Sequence, residues 1–113
     1  MKIIDSMISI DALTAMAKSM FGDLVKAVVD VERELIAVDA ELHSDLEALL
    51  LEGGSKQKDL WGINLYPELQ SDDFIEFDSM INMRPSQGNR SRGVEKEEIR
   101  RKIISIVEKR ITR

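Results

Sequence analysis

Cysteine is absent from this chain of 113 residues, which rules out disulfide bridges and thiolate metal sites and makes a reducing cytoplasm the expected location. Aromatic residues are scarce, one Trp, one Tyr and three Phe, too few for the stacking platform with which single-stranded nucleic acid is usually held. No apolar run is long enough to cross a bilayer. The opening MKIIDSMISIDAL lacks a charged region followed by a long apolar stretch, so no signal peptide is expected. There are only two prolines, and each falls where a strand pattern stops.

A hydrophobic content of 43% with 33% charged residues is that of an ordinary globular protein, and the length suits one domain over residues 1–113, folding alone or as a small oligomer. The net charge of −5 is unevenly spread. Met1 to Met83 carries 6 Lys/Arg against 17 Asp/Glu, whereas Arg84 to Arg113 carries 10 against 4. An acidic body makes a broad nucleic-acid surface unlikely, because phosphate neutralisation needs a contiguous basic face. The basic C-terminal quarter leaves room for a local anion site.

Periodicity predicts the elements. Lys2 to Ile4 reads as a short edge strand. Ser9 stands as the N-cap of a helix with Leu13, Met16, Ala17 and Met20 on one stripe, stopped by Gly22. From Leu24 the period becomes two, with Val25, Ala27, Val29 and Val31 on one face. Leu35 to Leu42 resumes it after Glu32-Arg33-Glu34, so a first hairpin is expected, with one long helix as the rival. Ser44 and Glu47 match a capping box for a helix over Asp45–Leu51, ended by Gly53-Gly54. Trp61, Ile63 and Leu65 alternate against Gly62, Asn64 and Tyr66 until Pro67. A partner strand over Phe74–Arg84 carries Ile75, Phe77, Ile81 and Met83, giving a second hairpin. Ile99, Ile103, Ile106 and Val107 form the stripe of a last helix, with acids in its first turn and bases in its last. The expected fold is α+β: an antiparallel sheet of two hairpins with the helices packed on one face, in two layers.

Three groups of polar residues are candidates for function. In the Arg84–Arg92 loop, Arg84, Gln87, Asn89 and Arg90 surround Pro85 and Gly88; guanidinium forks suit carboxylate or phosphate, and glycine permits close backbone approach. The other reading of this loop is a solvated turn whose arginines pair with the acidic body. Asp39, Glu41 and His43 would share one strand face, so that His43, oriented by Glu41, could act as acid or base; a lone structural histidine is the alternative. Asn64, Tyr66, Asp78 and Asn82 crowd the polar face of the second hairpin. One histidine and no cysteine leave no zinc site, only hard oxygen ligands for a divalent cation. No phosphate or dinucleotide fingerprint is present, so no cofactor is implied.

The segments LWGINLYPE and FDSMINMRPSQGNRSRGVE, with VKAVVDVER, AELHSDLEALLLEGGSKQ and the EIRRKI helix, resemble a family of short uncharacterised prokaryotic proteins grouped as a domain of unknown function. The resemblance implies a small cytoplasmic protein with no assigned activity and carries no catalytic residue across. The family often has a glycine in the first hairpin turn near Glu34, where this chain has none. The leading expectation is a domain that binds an anionic small molecule at the arginine loop, with turnover as its enzyme version. The alternatives are a protein–protein or regulatory module and, less favoured, RNA contact through the loop.

Overall fold

The computed structural model describes residues 1–113, and its elements follow the predicted order with instructive departures. Strand β1 (Lys2–Ile4) is followed by the two-residue β2 (Ile8–Ser9) and helix α1 (Ile10–Met20). Ser9 caps α1, its hydroxyl accepting from the Ala12 N–H at 3.1 Å. At the other end Gly22 takes φ +94°, where a side chain would be strained, and its N–H returns to the Ala17 carbonyl at 2.6 Å.

Strands β3 (Val25–Asp30) and β4 (Leu35–Val38) form the first hairpin. The Asp30 carboxylate organises its turn. One oxygen accepts from the N–H groups of Glu32 and Arg33, both at 2.9 Å, and the other from the Ser55 hydroxyl at 2.6 Å. Glu34 sits at φ +55°, a left-handed conformation that glycine adopts more readily. β4 ends at Val38, short of the expected Leu42, because Asp39 turns to φ +74°.

Helix α2 (His43–Glu52) starts ahead of its predicted cap. Leu42 occupies the N-cap position without a side-chain bond, and Ser44 lies inside the first turn, so the predicted capping box does not form. Beyond Gly53 and Gly54 come β5 (Leu60–Leu65) and the short β6 (Ile75–Glu76). The expected strand over Phe74–Arg84 survives only at those two residues; the chain then makes 3₁₀ turns at Met80–Asn82 and Pro85–Gln87. Helix α3 (Glu97–Arg110) and β7 (Ile111–Thr112) complete the chain, β7 pairing in parallel with β2.

The main sheet has the order β1-β4-β3-β5-β6 with every neighbouring pair antiparallel, in keeping with the α+β expectation. The helices, however, lie on both faces. Ala27, Val29, Ile36, Val38, Trp61, Ile63 and Leu65 pack with Leu13 and Ala17 of α1 and Ile103, Ile106 and Val107 of α3. The alternate positions Val28, Ala37 and Leu60 pack with Leu46 and Leu50 of α2. β5 is buried at every position; it is apolar throughout its α1/α3 side, and on the other it carries Gly62 and Asn64, where Ser79 comes close and Glu76 and Asp78 accept from Asn64. Ile81, expected beside Trp61, packs into the α2 cluster instead. No helix is long and apolar enough to cross a membrane.

Candidate functional site

The polar residues singled out in the sequence collect along the outer edge of β5 and on its α2 face. Only Asn64 and Leu65 of β5 pair with β6, leaving the backbone of Leu60 and Gly62 facing an edge with no strand beside it. Side chains fill the gap. The Asn82 carboxamide accepts from the Gly62 N–H at 2.8 Å and donates to the Gly62 carbonyl at 2.9 Å, the two bonds a neighbouring strand would make. Arg84 donates through Nη2 to the Leu60 carbonyl at 2.7 Å and through Nη1 to that of Gln57. Its guanidinium lies 4.1 Å from the centre of the Trp61 ring. Gly62 is required for this approach, since a Cβ there would stand 2.5 Å from Ser79 Cβ.

Asn89 fastens the loop behind this cap. Its backbone bridges that of Arg84, its amide nitrogen contacts the carbonyls of Asn82, Ser91 and Gly93 at 2.7, 3.2 and 2.8 Å, and its oxygen accepts from the Glu95 N–H at 2.9 Å. Asn82, Arg84 and Asn89 are thus buried and engaged with backbone. Burial lowers the Arg84 pKa, opposed by the field of Glu47 and Asp59. The N–H groups of Arg90 and Ser91 hold an anion of the chain's own, the Glu95 carboxylate, at 2.5 and 2.9 Å, and these bonds lower its pKa. Arg92 donates to Asp78 at 2.6 Å, which raises the Arg92 pKa. Of the loop residues named from sequence, Gln87 and Arg90 point outward, and Arg90 enters no ion pair.

His43 is brought to Asn64 and Asp78 but not to Glu41. The imidazole is buried beneath β5 and its Nε2 is 2.8 Å from the Ile63 carbonyl, so that nitrogen carries the proton and donates. Burial is the chief cause of its lowered pKa, aided by Lys26 and opposed by the Ile63 carbonyl, Asp78 and Asn64. Glu41 is exposed and has no bond to the ring, and Asp39 stands 3.9 Å from the terminal ammonium instead. Asn64 donates to Glu76 Oε1 at 2.8 Å and to the Asp78 carbonyl at 3.3 Å, and Tyr66 donates to the same Glu76 oxygen at 3.1 Å. The Asn64 Oδ1 atom is buried without a partner.

Chemically, this assembly offers a buried imidazole, a buried carbonyl acceptor without a partner and one salt-bridged arginine. It gathers no nucleophile beside a base, and no three His, Asp or Glu side chains are placed to hold a metal ion. The sequence reading missed Glu76, which ties Asn64 to Tyr66, and Glu95, which fills the loop's amide pair. Gly62 inside an apolar strand was the available signal that a neighbouring segment comes close.

No curated protein and no solved structure shows significant similarity to the chain. The family model described as a protein of unknown function, DUF5674, matches residues 2–110. With that match spanning nearly its whole length, the chain belongs to the DUF5674 family.

Proposed function

We propose that the domain binds an anionic small molecule at the outer face of the Arg84–Arg92 loop, with Arg90, Arg92 and Gln87 as contacting groups and the exposed Asp78 carboxylate at its margin. The observation that carries this reading is Arg90, an exposed guanidinium in no ion pair, with Glu95 in its field but held by the loop's backbone amides, on a loop that Asn89 fastens to the backbone. Arg92 adds a second cation that a ligand could draw from the exposed Asp78 pair, an exchange of low cost because exposed pairs are weak. Asn82, Arg84 and Asn89 serve as the frame and do not touch the ligand.

Thermal-shift titration with sulfate, phosphate and a nucleotide at low salt tests it. Wild type should be stabilised by at least one of these, and an Arg90→Ala, Arg92→Ala double variant should not respond. Equal responses in the two proteins would contradict the proposal.

Met80 and Met83, exposed by 63% and 44%, favour a second reading in which the loop meets an acidic protein partner that covers the methionines. Under it, Met80→Ser abolishes partner capture while leaving the response to small anions unchanged.

A further inference from the structure

A groove of about 520 Å³ lies away from the loop, on the α3 side of the sheet, between the segment Ser71–Phe77 and the outer flank of α3. That volume is within the roughly 300–1,000 Å³ usual for small-molecule sites. Phe74, Val107 and Ile111 belong to the main core and form its floor, while Ile104, 37% exposed, continues the apolar surface outward. Two guanidinium groups border it. Arg100 donates through Nη1 to the carbonyls of Val94 and Glu95 at 2.5 and 3.1 Å, which fixes the side chain and leaves Nε and Nη2 uncommitted. The Arg113 guanidinium stands 4.4 Å from the centre of the Phe74 ring. Neither arginine is in an ion pair.

We infer that this groove is a second binding site, for a small apolar monocarboxylate whose hydrocarbon body covers Ile75, Phe77 and Ile104 and whose carboxylate meets Arg100 or Arg113. An apolar floor alone would not select a ligand; the two unpaired guanidiniums supply the charge complementarity. Asp72 and Glu108 also line the groove and are likewise in no ion pair, but they are exposed, whereas Arg100 is half-buried and fixed by two carbonyls, so the anchored charge is positive and the carboxylates limit the charge a ligand can carry. One carboxylate can reach an arginine past them, whereas the second negative charge of a phosphate ester would face a carboxylate. The site therefore differs in ligand class from the loop, where no apolar floor is present.

The test is a two-dimensional amide NMR titration of the full chain with 3-phenylpropionate and octanoate, using 3-phenylpropylamine and 3-phenylpropanol as controls. The acids should give saturable shifts at Phe74, Ile75, Ile104 and Val107, and the controls should not. Arg100→Gln should weaken acid binding about ten- to a hundredfold, the range of a lost charge-assisted contact, and Ile104→Glu should weaken it too, by placing a carboxylate on the apolar surface. The inference is overturned if the acids give no saturable shifts, if amine or alcohol shifts the same amides as strongly, or if the shifts centre on residues 84–92. Because wild type alone separates acid from amine, the result does not depend on either variant folding.

Discussion

The two halves of the outer edge of β5 solve one problem in different ways. At Asn64 and Leu65 a strand, β6, supplies the hydrogen bonds; at Leu60 and Gly62 the side chains of Arg84 and Asn82 supply them. The first solution leaves the edge to another exposed strand, while the second closes it with groups that cannot propagate pairing to another chain. A segment that reads as a ligand site, with Asn and Arg around Pro and Gly, is thereby in large part an edge cap. Ligand binding falls to what remains outside: Arg90, Arg92 and Gln87.

Arg84→Ala offers the sharpest contrast. It strips two carbonyls of their donor and unstacks Trp61, so urea unfolding should show a loss of about 2–4 kcal/mol, the scale of buried carbonyls left without a donor. A loss below about 1 kcal/mol would mean that water replaces the guanidinium and the cap is dispensable.

Gly62→Ala should cost less, about 1–3 kcal/mol, because Ser79 must give way to the new methyl. The paired half offers the control: Leu65→Ile keeps the β6 register and should change stability by under about 1.5 kcal/mol.

His43 makes the comparison depend on pH. Its folded pKa is lowered, so the unfolded chain binds the proton more readily and stability falls as pH drops below the ordinary imidazole value of about 6.5. Between pH 7 and 5, unfolding free energy should decline in wild type and decline less in His43→Gln. Parallel curves would mean that the ring is solvated in the folded state. The Glu95 contribution, also from a lowered pKa, is lost only at the more acidic pH where carboxylates protonate.

The smallest effect lies in the first hairpin, away from the capped edge. Glu34→Gly relieves a left-handed φ but removes an exposed ion pair with Lys109 at 2.8 Å, two small changes that oppose each other. A melting temperature within a few degrees of wild type is expected. A large fall would show that the Lys109 contact anchors α3.

Much of the fold could be read directly from residue pattern. Ser9, Gly22, the Gly53-Gly54 stop and the β5 face of Trp61, Ile63 and Leu65 all act locally, through a cap, a positive φ or a period of two. What escaped the reading was long-range. The alternation of Ile75, Phe77, Ile81 and Met83 is compatible with a strand, and nothing local reveals that Asn82 reaches back to Gly62, 20 residues earlier. The same holds for α2, whose apolar stripe does not say which side of the sheet it will cover. Asn64 and Asp78 were read together on one polar face, but that His43 lies beside them was not legible, because His43 was tied to Glu41 by a strand that stops at Val38.

Amide hydrogen exchange at Gly62 tests most directly whether a side chain stands in for a strand. In wild type the Gly62 N–H should exchange as slowly as the paired amides of β3 and β5, and in Asn82→Ala it should speed up by orders of magnitude while the Ala27 and Ile63 amides remain protected. Fast exchange at Gly62 in wild type, or unchanged protection in the variant, would contradict the edge cap.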